Sequence, residues 1–178
     1  MNKLFENIIG CWKHIPYTIA HRRAFKEISN KILGYNINPW HDVDKLVLYV
    51  CIPFVGKKFV NKFHRKHSSH HLSWDKYING KNLNYVEAII DWECARFTKS
   101  DKPLDAEDTM IKYFSDFAYI LYPILKKYNL LKYEYEIEYS RYYVNYPAKR
   151  YYVKYPAKIV KINTNKYKII NTYLYYYI

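Results

Sequence analysis

Histidine and aspartate are the residues of this 178-residue chain best suited to chemistry, and their order along it is informative. Four of the seven histidines fall in "HRKHSSHHLSW" (His64–Trp74): His64, His67, His70 and His71. His21 lies upstream in a run whose apolar residues recur at helical spacing. His41 and Asp42 are adjacent, and Lys45 follows Asp42 by three residues. Asp91 continues the apolar stripe of a later helical run. Neutral imidazole and carboxylate together suit zinc, manganese and iron. Each residue alone has a plainer reading. His21 would be a core histidine bonded to a carbonyl, Asp91 an arginine partner, Lys45 a solvated helix residue, and "HRKHSSHH" a basic surface loop. The ordered set says more, because a helical domain builds a metal centre by projecting ligands inward from several helices.

The elements that must position these residues read as helices. "YTIAHRRAFKEISNKIL" carries Ile19, Phe25, Ile28 and Ile32 on one stripe, starts from Pro16 in its first turn, and ends at Gly34. "NINPW" is a loop, and "HDVDKLVLYV" begins a second helix that Pro53 interrupts. A third piece, "FVGKKFVNKFHRKH", offers Phe54, Phe59, Val60 and Phe63 for burial. In "NLNYVEAIIDWECARF", Val86, Ile89, Ile90 and Phe97 are expected inward, with Asn82 or Asn84 as the cap. "LDAEDTMIKYFSDFAYILYPILKKYN" is the longest candidate, kinked at Pro123. The expectation is an all-α domain of about five helices over residues 1–132.

Residues 133–178 differ in character. "YEYEIEY" (Tyr133–Tyr139) alternates as a strand does. A nine-residue direct repeat follows, "RYYVNYPAK" then "RYYVKYPAK", and "IVKINTNKYKII" predicts a hairpin turning at Asn163–Asn165. Two short repeats are too few for a solenoid, so the tail reads as a tyrosine- and lysine-rich β or disordered appendage. Eight of the thirteen net positive charges fall on residues 141–178, which hold no acidic residue. That makes the tail the place for any polyanion contact.

Other classes are disfavoured. Only four glycines are present, and no Gly-rich phosphate loop. Three cysteines without a CxxC pair argue against a zinc ribbon or disulfide scaffold. The longest apolar run, "LVLYVCIPFV", is about half of a bilayer span. The start of the chain lacks a clear signal-peptide core. No membrane association and a cytoplasmic location are expected.

The order His … His-Asp-x-x-Lys … His … His-His … Asp resembles the HD superfamily of metal-dependent phosphohydrolases. "HDVDK" has the spacing of the His-Asp pair and following Lys in that superfamily's cyclic-dinucleotide branch. More narrowly, "AHRRAF", "HDVDK", "HRKHSSHH" and "DW" resemble an uncharacterised HD-like family frequent in phages and bacteria. The match runs from Pro16 to Phe97. Asp44 stands where that family usually has Ser, and the Gly-Tyr-Pro signature of the cyclic-dinucleotide enzymes is replaced by "LSW". The resemblance implies an HD-like helical bundle. His21, His41, Asp42 and Asp91 would hold one divalent metal (Mn, Fe or Zn). Asp42 would bridge to a second, held by His64 and by His70 or His71. His67 is the spare.

The activity so implied is hydrolysis of a nucleotide or other small phosphate ester, with Asp42 and Lys45 in catalytic roles and Arg22, Arg23, Arg65 and Lys66 around the mouth. Two alternatives stand beside it. One is a di-iron HD-like oxygenase using the same ligands. The other is a non-enzymatic protein that binds nucleic acid through the basic tyrosine-rich tail.

Overall fold

The computed structural model describes residues 3–99, 104–145, 152–154 and 157–177, with side chains described over 14–99, 104–138 and 157–171. The chain divides into two compact units, Met1–Asp105 and Ala106–Ile178. The expected division after Lys132 lies inside the second.

The first unit is helical. Its elements are α1 (Lys3–Leu33), α2 (Val43–Val50), α3 (Ile52–Val55), α4 (Lys57–His67), α5 (Trp74–Ile78) and α6 (Tyr85–Thr98). Helix α1 does not begin at Pro16 but runs through it. The missing N–H removes one internal hydrogen bond without ending the helix. Gly34 closes α1 at φ +82°, its N–H donating to Asn30 O at 2.9 Å, a conformation that favours glycine. Helices α1 and α6 pack through Phe25, Ile90 and Cys94, flanked by Ala24, Ile28 and Ile32. Burying a side chain such as Phe25 contributes roughly 1.5–3 kcal/mol. A second group, Tyr49, Ile52 and Val60, joins α2, α3 and α4.

Five apolar expectations are corrected. Ile19 is 41% exposed, Phe54 86%, Phe59 55%, Phe63 42% and Phe97 60%. On α4 the buried face is Val60 with His64 one turn on. Phe59 and Phe63 each lie one residue earlier, about 100° around the helix from that face.

In the second unit the expected single long helix is broken. It forms α7 (Ala106–Tyr113), a 3-10 turn at Ser115–Phe117, and α8 (Ala118–Lys127) with Pro123 inside it. A four-stranded sheet follows: β1 (Glu134–Asn145), β2 (Tyr152–Lys154), β3 (Lys158–Asn163) and β4 (Lys166–Tyr177). β4 pairs in parallel with β1, from Glu134↔Lys166 to Asn145↔Tyr177. It pairs antiparallel with β3 and, further along, with β2. The expected hairpin is therefore β3–β4. Most of the nine-residue repeat lies outside the residues whose side chains are described.

Glu107 is fully buried and ties this unit together. It accepts from the backbone N–H of Lys132 (2.7 Å) and Tyr133 (3.2 Å) and from the Tyr135 hydroxyl (2.9 Å). Tyr135 and Tyr133 each pack on Tyr167, and Lys168 pairs with Glu138 at 3.0 Å. The described tyrosines of the sheet thus pack on one another.

Candidate metal centre

The predicted ligands are carried by five pieces of the first unit: α1, the loop before α2, α4, the loop after it, and α6. His21 sits on α1 one turn before Phe25, so both face α6. Asp91 sits on α6, four residues after Glu87 and on the same side. Between α1 and α2 the chain makes a tight loop. Ser29 Oγ accepts from Ile37 N–H at 2.9 Å and donates to Tyr35 O at 2.8 Å. The loop ends at His41 and Asp42, both buried. The Phe25 ring stacks flat on His41, centroids 3.8 Å apart. Asp42 caps α2 in the left-handed region, φ 56°, a conformation that aspartate tolerates better than most residues.

The second group comes from the end of α4 and the loop after it. Ser68 N–H bonds His64 O at 2.9 Å and ends the helix. His70 and His71 then turn back beside His64, with ring centroids 5.6 and 4.8 Å from it. One residue fastens this loop. The Lys76 ammonium donates to Arg65 O, Ser68 O and His71 O at 2.5, 2.8 and 2.9 Å, so all three of its protons are used. Lys76→Met should lower stability by roughly 2 kcal/mol. It should also weaken metal binding by the His64 group more than by the His21 group, as read by competition with a chelator.

Among the described residues the candidate ligand atoms form four overlapping groups, each within 4.8 Å: His21, His41, Asp42 and Asp91; His64, His70 and His71; His41, His70 and Glu87; and Asp42, Asp44 and His64. The first two hold all the predicted ligands. Asp42 stands between them. Its Oδ2 faces His41 Nε2 (3.7 Å) and His21 Nε2 (4.0 Å). Its Oδ1 faces His64 Nε2 (3.1 Å) and His70 Nε2 (3.6 Å). Asp91 Oδ1 lies 2.7 Å from His21 Nε2 and 3.2 Å from His41 Nε2. Lys45 Nζ donates to Asp42 Oδ2 at 2.5 Å. His67 lies apart, exposed, its Nδ1–H donating to Phe63 O.

The outer partners fix which ring nitrogen faces inward. Glu87 Oε1 lies 3.0 Å from His41 Nδ1 and 3.1 Å from His70 Nδ1, and accepts from Asn38 Nδ2 at 2.7 Å. Asp44 Oδ2 lies 2.6 Å from His64 Nδ1, and Thr98 Oγ1 3.2 Å from His21 Nδ1. An ionised carboxylate can only accept, so His41, His70 and His64 carry a proton on Nδ1. Their Nε2 atoms then point at Asp42 and Asp91, the arrangement found where carboxylates orient metal-ligating histidines. Glu87 and Lys76 were not singled out from sequence. The spacing of Glu87, one helical turn before Asp91, was the available signal.

Charge within the cluster is tightly coupled. Burial opposes ionisation of Asp42, but His64, His70 and Lys45 outweigh it and hold the carboxyl far below the usual range. Burial likewise opposes charge on Asp91, which His21 and His41 hold well down. Glu87 is brought to about 2 by His41, His70 and Asn38 against the effect of burial. His70, despite burial, is pushed up to about 9 by Asp42 and Glu87. His71, partly buried and beside the His70 charge, is pushed down to about 2 by loss of solvation and by that charge.

Three polar atoms at the centre have no hydrogen-bond partner although buried: Asp42 Oδ1, His70 Nε2 and His71 Nε2. Buried polar atoms are normally satisfied, and leaving one unpaired costs about 1–3 kcal/mol. Asp42 Oδ1 faces His70 Nε2 at 3.6 Å with no hydrogen bond between them, a gap that a cation can fill, either the ring's own proton or a metal ion. The nitrogen and oxygen donors suit zinc, manganese or iron. These residues therefore fit a metal ion, and the buried histidine and carboxylate groups could hold one. Among the described residues no helix is long and apolar enough to cross a membrane. Comparison of the chain with protein-family models, with curated proteins and with solved structures finds no match.

Proposed function

We propose that the cluster is the catalytic centre of an HD-type, metal-dependent phosphohydrolase that takes two divalent ions and acts on a nucleotide or other small phosphate ester. The observation that carries this reading is the division of Asp42. One carboxylate oxygen faces each histidine set, so Asp42 could contribute a ligand on both sides. Bound divalent ions would supply an activated water and neutralise charge developing on phosphoryl oxygens.

The chain's own residues do the rest. His21, His41 and Asp91 would hold one ion and His64, His70 and His71 the other, with both His70 and His71 turned to the same side. Glu87, Asp44 and Thr98 keep the rings from rotating. Lys45, 20% exposed, is the cation beside Asp42 with access to solvent. Once Asp42 is engaged elsewhere, its ammonium can meet a phosphate oxygen. The surrounding burial excludes water other than the reactant and strengthens each of these interactions.

A panel of phosphate monoesters and nucleotides, incubated with protein reconstituted with Mn, Fe or Zn, tests the reading. Turnover that vanishes with chelator and returns with metal is expected. Bound mixed-valence iron without phosphate release would instead assign the same ligands to oxygen chemistry.

A further inference from the structure

A cavity of about 270 Å³ lies beside His41, against the face of α1 that carries Arg22, Arg23 and Lys26. Asn36 and Pro39 of the following loop complete its wall. Three lining side chains are cationic and none is acidic. Arg22 gives one N–H to Pro39 O at 2.9 Å, which holds its fork against the loop. Arg23 and Lys26 are exposed and form no ion pair among the described residues. Asn36 Oδ1 is buried without a hydrogen-bond partner, so its amide is uncommitted at that atom.

The chemistry of this lining selects an anion. Arginine forks bind phosphate oxygens in pairs, and a flexible lysine adds a point charge. Asn36 can turn its amide to donate to the same oxygens. The size limits what fits. Sites for drug-sized ligands hold about 300–1,000 Å³, so this cavity takes part of a ligand, such as one or two phosphate groups. Its position relates it to the metal centre, because His41 both lines the cavity and faces Asp91 and Asp42 through Nε2.

We propose that this cavity is a second anion subsite, holding a further phosphate of the substrate while the phosphate to be cleaved sits at the metal cluster. It rests on the phosphohydrolase reading and narrows it. The substrates are compounds with two or more phosphate groups, such as nucleoside diphosphates or triphosphates, rather than simple monoesters.

The test uses Arg23→Glu/Lys26→Glu in the full chain, with Arg23→Gln/Lys26→Gln as a milder second variant. Both positions are solvent-facing, and metal content serves as the check that the centre is intact. Calorimetric titration of chelator-treated protein with inorganic pyrophosphate should show binding that falls about tenfold or more in the Glu variant and less in the Gln variant. The ratio of kcat/KM for ADP to that for p-nitrophenyl phosphate should fall by about the same factor. Pyrophosphate binding that is absent, or equal in all three proteins, overturns the subsite. An unaltered kcat/KM ratio in an active enzyme overturns the subsite alone and leaves the hydrolase reading standing. Pyrophosphate binding that follows the charge, in a protein that hydrolyses nothing with any metal, refutes the hydrolase reading and with it the subsite's place on a substrate.

Discussion

On the phosphohydrolase reading, Asp42→Asn should leave the helical unit folded and lower metal-dependent hydrolysis by about a thousandfold or more, the equivalent of roughly 4 kcal/mol of transition-state stabilisation. The effect is large because one residue serves both ligand sets. Oδ2 faces His21 and His41, and Oδ1 faces His64 and His70. An amide offers one acceptor where the carboxylate offers two, and its NH2 opposes a cation on the other side. The backbone is spared, because asparagine tolerates φ 56° about as well as aspartate does. Asp42→Ala would add about 1–2 kcal/mol of strain at that φ. A lower thermal midpoint for the Ala variant than for the Asn variant, with both inactive, separates the ligand role from the backbone role. Circular dichroism and phosphate-release assays on the same preparations provide the readouts.

Glu87→Ala is the second large effect. It should destabilise the chelator-treated protein by about 3–5 kcal/mol, since removing one member of a buried charged network leaves the others unpaired. His41, His70 and Asn38 all lose their contact with Oε1, and Asn84 Nδ2 loses its contact with Oε2 at 3.1 Å. Affinity for metal should fall too, by about 10–100-fold for each histidine set released, because neither His41 nor His70 is then held with Nε2 inward. Glu87→Gln keeps one acceptor and the side-chain shape, and should fall between wild type and Ala on both measures. Denaturant titration without metal and chelator competition with metal separate the two effects. Wild-type metal affinity in Glu87→Ala would show that the ring orientation is set elsewhere.

What was legible in the sequence, and what was not, follows from the range of each interaction. His21 and Asp91 continue apolar stripes, so local periodicity places them inward. His41, Asp42 and Lys45 are close in sequence, and their spacing survives folding nearly unchanged. Glu87 was hidden because an acid in the first turn of a helix is ordinarily a solvated one that favours the helix N-terminus. Its burial depends on the 35–42 loop arriving from elsewhere. Lys76 was hidden for the same reason, as its partners are carbonyls of a loop that closes only in three dimensions.

The misplaced phenylalanines have a different cause. On α4 the inward stripe contains a histidine, and counting only apolar residues moved the expected face toward Phe59 and Phe63. Burial of His64 and exposure of both phenylalanines go together, because the face of α4 that carries His64 is also its core face. In the second unit, alternation predicted strands. It could not predict that β4 would take β1 as a parallel neighbour, a pairing between residues far apart in sequence.

If Asp42 joins two histidine sets into a centre for two divalent ions, metal content per chain will show it. It is measured after reconstitution with Mn, Fe or Zn and removal of free ion, in wild type and Asp42→Asn. Two equivalents in wild type and none retained in the variant, with hydrolysis rising as the second equivalent binds, is the expected result. Wild-type protein that retains no ion, or a variant that retains both, would contradict it.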